Sequence, residues 1–178
     1  MTRWQVDAKS GCCELTALGD AAQRSNQEKK IKFPGIPMAL NFELSGAQID
    51  GAREYQEDAF LITNLTDKKG NPAALIIVAD GMGGHAAGNV ASNMAVQAFN
   101  KHVSSNYPSD DLPDVLQEAV LRANKAIKDT VAETPALQGM GCTMVAGILE
   151  SGKIYWASVG DSHLYVIRGN ELMKKNAD

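Results

Sequence analysis

Three short stretches hold the residues best suited to chemistry: Arg53-Glu54-Tyr55-Gln56-Glu57-Asp58, Asp80-Gly81-Met82-Gly83-Gly84-His85 and Gly160-Asp161-Ser162. Each follows a boundary of an expected strand. In the second, the apolar run Ala73 to Ala79 reads as a buried strand with Asp80 at its carboxyl end. Gly81, Gly83 and Gly84 then make a turn, and a helix starts near His85. A carboxylate mounted there suits a hard cation, because Mg²⁺ and Mn²⁺ prefer oxygen ligands; it also suits the N-cap of the following helix. Carboxylates drawn from several strand ends repel one another when they converge, unless protons or a divalent cation separate them. Arg53, beside one of these clusters, is either a salt-bridge partner or a two-pronged clamp for phosphate oxygens. Metal carboxylates together with a phosphate-binding Arg point to phosphoester hydrolysis by metal-bound water.

The elements that must position these groups follow from periodicity. Residues 1–40 lack a sustained period and read as a flexible leader or linker, with a short helix around Ala21 to Lys30. A domain is expected over 41–178. Asn41 to Ile49 suits a strand of mixed faces, Arg53 to Asp58 a loop, and Ala59 to Leu65 a second strand. Lys68 to Pro72 forms a hairpin loop into the strand ending at Ala79. His85 to Val103 reads as a helix with a stripe of Val90, Met94, Ala95, Ala98 and Phe99. Asp114 to Thr130 reads as another, with Leu116, Val120, Ala123, Ile127 and Val131 on its apolar side. After a turn at Gly139 to Gly141 come strands Cys142 to Glu150 and Lys153 to Val159, joined by the two-residue hairpin signal Ser151-Gly152. Ser162 to Ile167 and Glu171 to Lys174 complete the series. The order β-β-β-α-α-β-β-β-β favours an α+β layered domain over a parallel doubly wound sheet.

Composition narrows the class of protein. The chain has 178 residues, 44% of them hydrophobic and 21% charged, and a net charge of -4. This suits one soluble domain with a substantial core and leaves no basic footprint for nucleic acid. No apolar run approaches the roughly 20 residues of a membrane span. Cys12 and Cys13 are adjacent and Cys142 is remote, so neither a disulfide framework nor a zinc site is indicated. A reducing, cytoplasmic setting is expected, with Cys12 and Cys13 as unpaired surface thiols.

Four segments in order carry a family resemblance. Arg53 to Ala59 resembles the R-x-x-[NQ]-E-D-A opening motif of the metal-dependent protein serine/threonine phosphatases (PPM-type, type 2C). Ala79 to His85, followed by Gly88, Ala91 and Ser92, resembles the bacterial form of that family's D-G-x-G-G motif. Gly139-Met140-Gly141-Cys142-Thr143 is similar to its G-x-G-[TC]-T segment, and Val159-Gly160-Asp161-Ser162 to its V-G-D-S-R motif. The resemblance spans about Leu44 to Lys175. It implies a four-layer α-β-β-α sandwich of antiparallel sheets flanked by helices, with two Mn²⁺ or Mg²⁺ ions at one end. It further implies that Asp80 bridges both metals, that the Gly81 carbonyl binds one, and that Asp161 holds a third, weaker ion. Glu57 and Asp58 would order metal-bound waters, and Arg53 would hold the substrate phosphate. The implied activity is hydrolysis of phosphoserine and phosphothreonine by a metal-bridged water. Phosphorylated proteins are the implied substrates, and a cognate serine/threonine kinase the implied partner.

Two residues depart from the pattern: His163 stands where the family has Arg, and Met82 stands where some members carry a His. The family's later D-H-S, S-D-G and D-N segments, two of which supply metal-ligand Asp residues, have no counterpart here. A fold incomplete at its C-terminus is therefore expected, and with it an alternative role as a phosphatase-like binding module or an inactive fragment. Other readings fail on context. Gly81 to Ala86 also fits a dinucleotide fingerprint, but a second helix follows where a Rossmann unit needs a strand. Asp161-Ser162-His163 contains the residue types of a catalytic triad, but consecutive strand residues face opposite ways. Ser158 lacks the glycine spacing of a nucleophile elbow.

Overall fold

A computed structural model describes residues 11–14 (backbone only), 43–49, 56–84 and 86–176. Its strands are β1 Gly11–Glu14, β2 Asp58–Thr66, β3 Pro72–Met82, β4 Gly141–Cys142, β5 Met144–Glu150, β6 Lys153–Val159, β7 Tyr165–Arg168 and β8 Glu171–Lys174. Between β3 and β4 come helices α1 Ala86–Asn106 and α2 Leu112–Glu133 and a 3-10 turn at Pro135–Leu137. The main sheet is antiparallel in the order β1-β6-β5-β3-β2, with β4 also paired to the end of β3; β7 and β8 form a separate hairpin. The fold is therefore α+β with antiparallel sheets. The described residues supply one helical layer, the main sheet and the β7–β8 hairpin, out of the four layers expected.

The apolar run of β3 places it centrally. It pairs with β2 along one edge and β5 along the other, so both edges are satisfied and nonpolar residues suit both faces. Leu75, Ile77 and Ala79 point toward the helices and are 0%, 1% and 0% exposed. They meet Ala91, Ala95 and Phe99 of α1, with Leu116 and Val120 of α2 in the same core. The helix faces differ in detail from the expected stripes. In α1 the buried line is Gly88, Ala91, Ser92, Ala95, Val96, Phe99 and Val103, while Val90, Met94 and Ala98 lie at its margin. In α2 the line begins at Leu112 and Val115, because the helix starts at Leu112 behind an Asp111 cap and runs on to Glu133.

Several boundaries correct the sequence reading. Residues 43–49 form no strand. They run beside the face of β2 and β3 turned away from the helices, bordering a cavity of about 290 Å³ with Phe60, Ile62, Ile76 and Val78. Gly46 lies so close to the Phe60 ring that a Cβ there would sit 2.3 Å from it, and such stacking needs no ladder of backbone bonds. The strand expected over Cys142 to Glu150 is split at Thr143. The one expected over Ser162 to Ile167 starts only at Tyr165, because residues 162–164 bond elsewhere. The leader expected over 1–40 contains a strand at Gly11–Glu14, paired with β6; its other residues lie outside the described ones. The hairpin signal at Ser151-Gly152 holds: both residues have positive φ (49° and 77°), as the tightest antiparallel turn demands. Among the described residues, no helix is long and apolar enough to cross a membrane.

Candidate functional site

Asp80 does not end its strand. β3 continues through Gly81 to Met82, and the turn into α1 falls at Gly83 and Gly84. Asp80 therefore lies too far from α1 to cap it, and the N-cap reading falls. What holds Asp80 is Thr143, which is only 6% exposed. The Asp80 N–H donates to Thr143 Oγ1 at 3.3 Å, and the Thr143 N–H donates to the Asp80 carbonyl at 2.9 Å. Two bonds to one residue fix the Asp80 backbone while leaving its carboxylate on the exposed side of the strand.

The β2–β3 register sets Asp58 directly opposite Asp80. Side chains at opposed positions share a face, with Cβ atoms about 4.5–5.5 Å apart, and like charges in such a pair repel. The Asp58 backbone is fixed by its N–H bond to Gln56 Oε1 and by the Gln48 amide donating to its carbonyl, each at 3.2 Å. Glu57 is placed differently. Its carbonyl accepts from Gly81 N–H at 3.1 Å and from the buried Ser92 hydroxyl at 2.6 Å. Its carboxyl lies against the first turn of α1, where a Cβ on Gly88 would come within 3.1 Å of Oε2. Gly81 is buried in the same contact: a Cβ there would sit 2.2 Å from the Gly88 carbonyl oxygen and 2.4 Å from that of Glu57. Only a glycine permits three backbone segments to approach so closely.

Asp161 is exposed in the loop after β6. Thr143 anchors this loop too. Its hydroxyl shares a hydrogen bond of 2.5 Å with Ser162, and Gly160, at φ +85°, packs where a Cβ would meet Thr143 Cγ2 at 2.8 Å. Thr143 thus joins the strand of Asp80 to the loop of Asp161. Burial, then the nearby Asp80 carboxylate, push the Cys142 thiol up to about 11, so it stays a neutral apolar group beneath the site.

The structure brings Asp58 and Asp80 together, seats Glu57 beside α1, and ties the Asp161 loop to the Asp80 strand. Arg53 and His85 lie outside the described residues. Among the described residues no three acidic, His or Cys side chains converge closely enough to form a complete metal site by themselves. The donor set still fits Mg²⁺ or Mn²⁺: Mg²⁺ commonly takes one or two carboxylates and keeps several waters. Asp80 offers one such carboxylate, and a hydrated cation held there would relieve its repulsion with Asp58 opposite. Thr143 and Ser92 fall within the motifs, but no local pattern gives either a role. A hydroxyl beside an otherwise buried run was the available signal in each case.

The chain resembles known proteins in sequence and fold. The family model for protein phosphatase 2C matches residues 48–175, well over half of the chain. The serine/threonine protein phosphatase PstP of Mycobacterium tuberculosis is 40% identical over 106 residues, which are 60% of this chain and 20% of PstP. The serine/threonine phosphatase stp of Listeria innocua is 35% identical over 126 residues, 69% of this chain and 48% of that protein. Among solved structures, the PstP/Ppp phosphatase of M. tuberculosis superposes with a TM-score of 0.61 at 35% identity, covering 71% of this chain and 50% of that one. The PstP catalytic domain in complex with two manganese ions gives 0.60 at 35% identity, covering 71% and 51%. The chain spans about half the length of the Listeria relative and of these solved chains, and a smaller share of full-length PstP. The chain belongs to the protein phosphatase 2C family.

Proposed function

We propose that the protein hydrolyses phosphoserine and phosphothreonine in protein substrates with the help of bound Mn²⁺ or Mg²⁺. The observation that carries this reading is the cross-strand Asp58–Asp80 pair, joined through Thr143 to the loop of Asp161, in a chain of this family. Asp80, the Gly81 carbonyl and Asp161 would hold the divalent ions, with Asp58 facing Asp80 across the site. When bound, such ions neutralise charge on phosphoryl oxygens and lower the pKa of water toward ~7. Glu57 and Asp58 accept hydrogen bonds from water in the site and orient it for in-line attack on phosphorus. Arg53 binds two phosphate oxygens of the substrate through its planar fork. Rigid backbone ties at Asp80 and Glu57 keep these groups in place as charge shifts during the reaction.

The substrates would be phosphoproteins made by a serine/threonine kinase. A cytoplasmic setting is supported by cysteine usage, since Cys142 is free and buried instead of stapling the fold. The test is turnover of phosphothreonine and phosphoserine peptides by the full-length protein. EDTA should abolish it and Mn²⁺ should restore it; undiminished turnover in EDTA would overturn the reading. Tight binding of the phosphopeptide with no release of phosphate would favour a binding module instead.

A further inference from the structure

The loop that carries Asp161 is held from two sides, and the second holder lies outside all four motifs. Gly160 to Leu164 contributes no residue to either sheet. One side is the Thr143–Ser162 hydroxyl pair. On the other is Asn176, a polar residue only 7% exposed. Its Oδ1 accepts from the Leu164 N–H at 2.8 Å, and its Nδ2 donates to the Ser162 carbonyl at 2.7 Å. The neighbouring Lys175 N–H donates to the Leu164 carbonyl at 2.8 Å. A carboxamide presents a donor and an acceptor in one plane, so it can satisfy two backbone groups of the same loop at once. A carboxylate can only accept, and a hydroxyl is too short to reach across both.

The Lys175 bond continues the register of the β7–β8 hairpin one step past its last pair, Tyr165 with Lys174, whereas the two Asn176 side-chain bonds lie outside that ladder. They act on the residues immediately after Asp161. Ser162 is therefore gripped at both its carbonyl and its hydroxyl, and Thr143, its hydroxyl partner, also holds the Asp80 backbone.

We propose that Asn176 is a positioning residue for Asp161: its amide, together with the Thr143–Ser162 hydroxyl pair, fixes the Gly160–Leu164 loop so that Asp161 is held in a set relation to Asp80. This rests on the reading that Asp161 helps to hold a divalent ion. The bonds of Asn176 go to the loop backbone, and the proposal gives it no contact with ion or substrate. Its effect passes through the loop, and it should appear in the cation requirement before it appears in turnover at saturating Mn²⁺.

The test uses the full-length protein with Asn176→Ala, Asn176→Asp, Asp161→Asn and the double variant Asp161→Asn/Asn176→Ala. Loss of a buried hydrogen bond should speed hydrogen exchange at the Leu164 amide about tenfold. Asn176→Ala should raise the Mn²⁺ concentration for half-maximal turnover of a phosphothreonine peptide roughly tenfold, and leave kcat at saturating Mn²⁺ within about threefold. In the Asp161→Asn background the same substitution should raise it no further, since both changes then remove one and the same effect. A lowered Tm with an unchanged Mn²⁺ requirement, or effects that add in the double variant, would overturn the proposal. Should Asn176→Ala fail to fold, the near-isosteric Asn176→Asp decides by the same criteria, since it keeps the acceptor for Leu164 and loses the donor to Ser162. If the wild-type protein hydrolyses no phosphopeptide, the functional reading fails separately. Calorimetric Mn²⁺ titration of the same variants then decides the role of Asn176: weakened, non-additive binding supports it, and unchanged binding overturns it.

Discussion

Asp58 and Asp80 stand opposite each other across two strands, so their like charges repel. Under the proposed function a bound cation would offset that repulsion, and the fold without it would be the less stable. In EDTA, Asp58→Asn should unfold at a temperature no lower than the wild type. In Mn²⁺ the order should reverse. If the substitution weakens cation binding tenfold, the variant forgoes about 1.4 kcal/mol of ligand stabilisation, roughly 3–6 °C in Tm for a chain of this size. An equal Mn²⁺-induced rise in both proteins would show that Asp58 does not face the ion. Far from the site, Tyr107 makes a different prediction. Burial, then the hydrogen bond its hydroxyl donates to Glu150 at 2.7 Å, raise its pKa above the ordinary phenol value. The folded chain therefore keeps a proton that the unfolded chain releases near pH 10. Stability from this residue is whole below that pH and falls as pH rises beyond it. Tyr107→Phe should flatten the alkaline limb of a Tm–pH curve, at the cost of a hydrogen bond at neutral pH.

At the scale of elements, the junction of β3 with α1 depends on backbone contact. Gly81 lets the end of β3 meet the Gly88 carbonyl and the Glu57 carbonyl at distances that exclude any side chain. Gly81→Ala cannot be absorbed by a rotamer change, because the atoms in the way are backbone. It should cost about 1–3 kcal/mol or more, as overpacking does, and lower Tm by several degrees. Because Glu57 and Asp80 both flank this contact, weaker Mn²⁺ binding should accompany the loss. A variant with full stability and unchanged Mn²⁺ affinity would mean that the strand and helix separate easily there.

For the molecule as a whole, the two faces of the main sheet are unequal. One is closed by α1 and α2 around Phe99, Leu75 and Leu116, each fully buried. The other leaves Phe60 40% and Val78 51% exposed, and Ile167 and Leu172 of the hairpin are 71% and 61% exposed. Apolar surface of that extent promotes association. Residues 1–178 prepared alone should bind a hydrophobic dye such as ANS and self-associate as concentration rises. Phe60→Ser with Val78→Thr should reduce both, read by fluorescence and light scattering. A monodisperse, dye-silent wild-type chain would contradict this view of the face.

Local pattern was enough to read much of this protein. The alternation and length of apolar runs place β2, β3, β5 and β6 within a few residues, and the Ser151-Gly152 pair marks their hairpin. The amphipathic periods mark both helices, and the acidic clusters at Asp80, Glu57-Asp58 and Asp161 mark the candidate site. Each of these signals comes from neighbours along the chain. Relations between distant segments were decided only in three dimensions. A slip of one residue between β2 and β3 would turn Asp58 to the other face, so its opposition to Asp80 depends on a register that no single segment encodes. The rotation of the α1 stripe reflects what the sheet offers it, and β1 exists only because β6 has an edge to pair with. Thr143 and Asn176 act through bonds to residues that the chain brings beside them by folding, as in the link from Thr143 to Asp80 across 63 positions. Sequence named the carboxylates; tertiary pairing decided which of them face one another and what holds them, because hydrogen-bond partners and strand register are properties of segments that meet only in the folded chain.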